Sequence, residues 1–174
     1  MLLSIWIFIL IWLVKLFFPR YWKVSTKIIH AQARHETGNF KSKSSTEAKN
    51  LFGMKVPAKR KTMAKGEQYA HAKFSSYLTS IIDYFYRQSY FKISGASDNA
   101  YIENTVNGNS EGKFKYAEDP QYLAKWRAHI EQTPPYLRIL AIIAFFVPLI
   151  ILIVIIRKWL NIDLVAKAKA LLKR

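Results

Sequence analysis

The sequence contains no cysteine among its 174 residues. A disulfide framework and a thiolate metal site are therefore excluded. Its four histidines show no metal-ligand spacing such as His-Glu-x-x-His. The sequence also lacks a glycine-rich phosphate loop, a nucleophile elbow and internal repeats. We therefore expect neither a metal ion nor a cofactor.

Acidic residues are scarce, since 11 Asp and Glu face 27 Lys and Arg for a formal net charge of +16. The cations are spread along the chain, with a net charge of +7 over residues 25–132 and +5 from residue 157 onward. Such a balance suits any polyanion, including nucleic acid, acidic lipids and anionic cell-wall polymers. Because a basic recognition helix and an RNA-binding aromatic motif are both missing, we expect no nucleic-acid partner.

Two apolar stretches flank a polar, basic middle. Residues 139–156 form an uncharged run of 18 between cationic and aromatic residues, which predicts a membrane-spanning helix over residues 136–157. A buried core helix is the alternative. Residues 1–18 predict an uncleaved N-terminal membrane anchor. A cleaved signal peptide is the other interpretation, but the run has no basic start and no small-residue cleavage site.

The C-terminal residues 158–174 place leucines at helical spacing with lysines mostly off that stripe. This pattern predicts a basic amphipathic tail on acidic lipids of a bilayer, with a frayed basic tail as the alternative. The tail cations favour a cytoplasmic C-terminus. Four cations that follow the first apolar stretch favour the opposite orientation, so charge alone does not decide it.

A short helix in the middle carries the first candidate for chemistry. Ser25 or Thr26 can cap a helix through residues 27–37, and Gly38 is a natural stop. Glu36 then lies in the last turn, on a semi-apolar face. The negative end of the helix dipole and an apolar surround both raise a carboxyl pKa, as a general acid near neutral pH requires.

The same region resembles the bacterial glucosaminidase family, glycoside hydrolase family 73. Three blocks carry the resemblance over residues 31–55, namely Ala31-Gln32-Ala33, Glu36-Thr37-Gly38 and Asn50-Leu51-Phe52-Gly53. Two further blocks, FSSYLTSIIDY (74–84) and KYAEDPQYLAKW (115–126), follow in the family's order. Together they cover nearly all of residues 25–132.

The resemblance implies a mainly helical, lysozyme-like catalytic domain over residues 25–132, with a small hairpin lobe and a sugar-binding groove. The implied substrate is the N-acetylglucosaminyl β-1,4 linkage in peptidoglycan glycan strands. Glu36 would protonate the leaving oxygen, and Tyr116 would position water or substrate or stabilise the transition state. The residues expected to contact substrate are Gln32, Asn50, Phe52, Tyr84 and Tyr101.

The sequence leaves the identity of the second catalytic group open. Many family members place a Glu in the hairpin, and Glu67 is the only acid in residues 56–74. It is a candidate base that polarises water, or equally a turn residue beside Gly66. The substrate's own acetamido group is a third candidate.

The chain departs from the family before the catalytic helix, where members carry another helix. Only residues 19–24 separate Thr26 from the first apolar stretch. Either the domain sits close to a bilayer, or residues 1–18 replace the missing helix.

The function expected from the sequence is a membrane-anchored peptidoglycan hydrolase at the bacterial cytoplasmic membrane. Its catalytic domain would face the periplasm or wall and its C-terminus the cytoplasm. Such an enzyme would serve wall remodelling or phage lysis. The alternative is a non-catalytic, holin-like protein that binds glycan while its apolar segments form a membrane lesion.

Overall fold

The computed structural model describes residues 2–109, 115–116 and 119–159. Met1–Leu137 form one compact unit and Arg138–Arg174 a second. The described elements are, in chain order, α1 (Leu2–Lys15), a 3-10 turn (Pro19–Tyr21), α2 (Thr26–Glu36), α3 (Lys43–Thr46), β1 (Gly66–Gln68), β2 (His71–Lys73), α4 (Tyr77–Tyr90), α5 (Asp98–Asn107), α6 (Tyr122–Glu131) and α7 (Tyr136–Trp159). This mainly helical fold with one small sheet agrees with the predicted lysozyme-like domain.

Helix α2 begins where the sequence predicts. Ser25 is its N-cap, and the Ser25 side chain accepts a hydrogen bond from the backbone N–H of Lys27. The helix packs against α1 and α6. On the α6 side, the indole of the fully buried Trp126 donates to the carbonyl of Ile28 at 2.9 Å. Helix α2 is thus fixed from two sides, and its last residue is Glu36.

Helix α1 is part of the protein core. It packs against α2 and α4, and its inward side chains, Ile7, Phe8, Leu10, Ile11 and Val14, are buried. Burying an aliphatic or aromatic side chain of this size contributes roughly 2 kcal/mol. The buried His30 of α2 also bonds the backbone carbonyl of Ser4 at 3.1 Å. Helix α1 is therefore a packed element of the domain. Its replacement of a further helix of the family stays a prediction.

Within the described part of the chain, no helix is both long and apolar enough to cross a membrane. The predicted membrane-spanning helices at residues 1–18 and 136–157 are therefore wrong. Helix α1 has 14 residues and rises about 21 Å, short of a hydrocarbon core of about 30 Å, and it buries its apolar face in protein.

The second unit contains most of helix α7. Residues 136–157 do form a helix, as the apolar pattern predicted. Most of the large apolar side chains described beyond Arg138 are exposed. The tail predicted at residues 158–174 falls, from residue 160 onward, outside the described residues.

The hairpin lobe lies between α3 and α4. Strands β1 and β2 pair antiparallel, with Glu67 opposite Ala72 and Gln68 opposite His71. The loop before the hairpin is tied to α4 by a buried ion pair, in which Arg60 donates to Asp83 at 2.7 Å. The other carboxylate oxygen of Asp83 accepts the backbone N–H of Met63 at 2.7 Å. The lobe is therefore anchored to the helical domain.

Two substitutions on α1 distinguish a helix packed in the protein core from one embedded in lipid. Ile11 is fully buried, whereas Trp6 is 52% exposed. We expect Ile11→Asn to lower the free energy of unfolding by about 3 kcal/mol or more, because it removes packing and buries an amide. Trp6→Asn should change it by less than about 1 kcal/mol. Urea denaturation of the full chain measures both. Equal effects would contradict the packing of α1 in the core.

Candidate active site

Glu36 ends α2 and is half-buried. Its carboxylate Oε1 accepts a hydrogen bond from the hydroxyl of Tyr122, at the start of α6, at 2.5 Å. Thr37 follows as the C-cap, and Gly38 turns the chain with φ of +54°. The carboxyl group is thus fixed at the junction of α2 and α6.

A directed series of buried hydrogen bonds ends on Glu36. The Tyr122 hydroxyl, which donates to Glu36, accepts from the amide of Gln32 at 3.0 Å. The Gln32 carbonyl oxygen accepts from the hydroxyl of Tyr84. Tyr84 donates its only hydroxyl proton to Gln32. In the 2.5 Å hydrogen bond between Tyr84 and Tyr101, the donor must therefore be Tyr101. Each donor therefore points toward the carboxylate, and each bond polarises the next.

The other side of Glu36 is the loop Asn50–Met54. The Asn50 side chain donates to the carbonyls of Met54 and Ala72 and accepts from the backbone N–H groups of Phe52 and Met54. This satisfies the whole amide and fixes the loop. Gly53 has φ of +60°, and a methyl group added there would lie 3.1 Å from Glu36 Oε2. The backbone at Gly53 therefore forms a close wall beside the carboxylate.

Tyr116 joins the loop to the same site. Its hydroxyl donates to the carbonyl of Phe52, and its ring lies 6.0 Å from that of Tyr122 between centroids. The guanidinium of Arg87 lies 4.3 Å from the centroid of the Tyr116 ring, within the range of a cation–π contact. Burial raises the pKa of Tyr116 well above its usual value, and the Glu36 charge raises it further.

The electrostatic surroundings favour a protonated Glu36. Burial raises its pKa, while the Tyr122 hydrogen bond and the charges of Arg87 and His71 lower it by less. Desolvation disfavours the ionised form, and the net shift is upward. A carboxylic acid with a raised pKa is suited to donate a proton near neutral pH.

A family model named Glucosaminidase, described as mannosyl-glycoprotein endo-beta-N-acetylglucosaminidase, matches residues 20–134. The chain belongs to the glucosaminidase family. It is a glycoside hydrolase of the endo-β-N-acetylglucosaminidase type. No curated protein and no solved structure matches the chain.

The residues predicted to contact substrate lie beneath the surface of this glucosaminidase. Gln32, Asn50, Tyr84 and Tyr101 are fully buried, and Phe52 stacks on Tyr84 with 3.8 Å between ring centroids. As placed, they support Glu36 and its loop from below. Their direct contact with a sugar stays a prediction.

The structure brings Tyr116 to Glu36 but not Glu67. Glu67 is exposed on β1 and pairs with Ala72. Because side chains alternate along a strand, Glu67 lies on the opposite face of the hairpin from His71, whose charge acts on Glu36. The role of Glu67 as a base stays a prediction.

Sequence reasoning missed Tyr122 and Arg87. Tyr122 is the final Tyr of the Tyr-Ala-x-Asp-Pro-x-Tyr block, so the signal was present but was assigned only to Tyr116. Arg87 stands in α4 one turn after Asp83, outside every block. Only the packing of α4 against the core reveals its place.

Gly53→Ala tests the close wall beside Glu36, with Gly38→Ala as a matched control. Both glycines have positive φ, so each variant should lose about 1 kcal/mol of stability. Only Gly53 has Glu36 next to the added methyl, whereas nothing lies within 4 Å at Gly38. We expect kcat to fall in Gly53→Ala alone, in a glycan hydrolysis assay. Equal losses in both variants would show that strain alone matters.

Tyr122→Phe tests the hydrogen bond to the carboxylate. Removing a donor that lowers the pKa of Glu36 should raise that pKa further. A general acid works protonated, so the alkaline limb of the pH–rate profile should move to higher pH. Tyr84→Phe, at a residue that reaches Tyr122 only through Gln32, should lose stability but shift the limb less. A limb that stays in place in Tyr122→Phe would contradict this arrangement.

Proposed function

We propose that this glucosaminidase hydrolyses the β-1,4 linkage of N-acetylglucosaminyl residues in peptidoglycan glycan strands, with Glu36 as general acid. The observation that carries the proposal is the half-buried carboxyl group at the end of α2, which Tyr122 contacts and whose pKa is raised. A surface carboxylate would be ionised at neutral pH and could not donate a proton.

The proposed reaction begins with proton transfer from Glu36 to the glycosidic oxygen as the bond from that oxygen to the anomeric carbon breaks. Positive charge develops on the sugar ring in an oxocarbenium-like transition state. The newly ionised Glu36 accepts a hydrogen bond from Tyr122, and the charges of Arg87 and His71 act on it. These three groups stabilise the charged form that the step creates.

Water then attacks the anomeric carbon. Tyr116 is proposed to position water or substrate, because its ring lies between the loop at Phe52 and Arg87. Two candidates remain for the second group. Glu67 would act as a base that takes the proton of the attacking water. Alternatively, the acetamido oxygen of the substrate would first bond to the anomeric carbon as the leaving oxygen departs, and the ionised Glu36 would take the proton of the water that displaces it.

The substrate sets the proposed location. Peptidoglycan strands lie outside the bacterial cytoplasmic membrane, so we propose that the catalytic domain works on the wall side of that membrane. The proposed reaction would serve remodelling of the host wall or lysis by a phage.

Glu36→Gln is the direct test in the full chain. Gln keeps an acceptor for Tyr122 but cannot donate a proton to the leaving oxygen. We expect kcat on purified peptidoglycan to fall about 10²–10⁴-fold, as for loss of a general acid. The release of reducing ends measures this loss of activity, and clearing in a peptidoglycan zymogram checks it.

Glu131→Gln is the matched control, because Glu131 is the last residue of α6 as Glu36 is of α2. It is exposed and should retain full activity. Glu36→Gln should melt no lower than the unaltered protein at pH 7, since it removes a carboxylate whose ionisation burial disfavours. Full clearing by Glu36→Gln would overturn the assignment.

A further inference from the structure

The net positive charge of the catalytic domain arises from one segment. Residues 41–73 carry nine Lys and Arg against two acidic residues, a net charge of +7. The rest of residues 25–132 carries eight of each sign and is neutral. Residues 41–73, which we call the lysine lobe, comprise α3, the Asn50–Met54 loop and the hairpin. Cations occur along the whole domain, but the excess of cations over acidic residues lies in the lysine lobe alone.

The cations of the lysine lobe are available to a ligand. Seven of its eight lysines are exposed. Its only arginine, Arg60, is in the buried ion pair with Asp83. Of its two acids, Glu47 accepts a hydrogen bond from Tyr69. Lysine is a compact point charge on a flexible stem and lacks the planar fork of arginine. The lobe thus suits several separate anionic groups better than one rigidly bound group.

The lysine lobe also borders the catalytic carboxyl group. Gly53, which forms the close wall beside Glu36, belongs to it. Lys55 follows Gly53 by two residues. On β2, Lys73 lies on the same strand face as His71, whose charge acts on Glu36. Lys65 adjoins Lys73 through a backbone hydrogen bond of 2.8 Å. Exposed lysines thus follow the Gly53 wall in the chain and lie on the hairpin that carries His71.

We propose that the lysine lobe binds the carboxylate groups that peptidoglycan strands carry, so that the enzyme prefers acidic glycan over neutral glycan of the same length. The inference rests on the proposed function and specifies its substrate class. The lysines act on binding: they raise the local concentration of an anionic strand and hold it beside Glu36 without taking part in proton transfer. The preference therefore appears in KM and not in kcat.

The test compares one glycan in two charge states. Soluble peptidoglycan strands are used as isolated and after conversion of their carboxylates to amides. The full-length variant Lys55→Gln/Lys65→Gln/Lys73→Gln is assayed against the unaltered protein. The control Lys23→Gln/Lys92→Gln/Arg127→Gln removes three exposed cations outside the lobe.

We expect the lobe variant to raise KM for the acidic strands about tenfold at low salt, with kcat unchanged, since each exposed pair contributes modestly. Added salt should close the gap, because it screens exposed charges beyond about 8 Å at physiological ionic strength. Amidated strands should show the same KM with every protein. An equal KM change with the control variant, or on amidated strands, overturns the inference.

The experiment distinguishes failure of the proposed function from failure of the lysine-lobe proposal. If the unaltered protein cleaves neither form of the strand, the hydrolase proposal fails. Binding of the intact strands to Glu36→Gln protein then still reports on the lobe. Sedimentation with vesicles of anionic phosphatidylglycerol is a further arm. Two results together would overturn the inference in favour of a lipid surface. The lobe variant would lose vesicle binding, and the binding of strands to Glu36→Gln protein would not depend on salt.

Discussion

The site depends on one hydrogen bond, from the Tyr122 hydroxyl to the Glu36 carboxylate. A carboxyl group at the negative end of a helix and partly out of water is costly to ionise. In the proposed reaction that cost favours the protonated acid, but the site must also stabilise the anion that would form after proton transfer. Tyr122 serves the second need. The series of hydrogen bonds through Gln32 and Tyr84 orients that hydroxyl from within the core.

Helix α1 shows why a sequence of apolar residues is ambiguous. The residues that suit the interior of a bilayer are those that suit the interior of a protein, and 14 residues lie between the two cases. The core of a domain this small needs a helix against α2 and α4, and no other described helix occupies that place. Tertiary packing therefore decides the role of α1. Composition could not decide that role, and the short link before Thr26 left two interpretations open: a domain close to a bilayer, or residues 1–18 in place of a missing helix.

Local features were predictable from the sequence, and long-range ones were not. Ser25 as cap, Glu36 in the last turn and Gly38 as the stop follow from neighbouring residues. The contact between Glu36 and Tyr122 joins residues 86 apart, so no local pattern reveals it. The hairpin turn was also hidden. Tyr69 and Ala70 both adopt positive φ there, at positions where Asn or Gly is usual.

The proposed roles of the lysine lobe and of Glu36 raise a physical conflict, because positive charge beside a carboxyl group favours its ionised form. Distance and solvent resolve it. Arg87 and His71 lie close enough to lower the pKa of Glu36, yet burial outweighs them. The lysines are exposed, so water and salt screen their charges. Since an approaching strand has many carboxylates, it responds to the summed field of the lobe, whereas Glu36 responds mainly to its immediate neighbours. The two proposed roles, attraction of an anionic strand by the lobe and proton donation by Glu36, are thus compatible in one site.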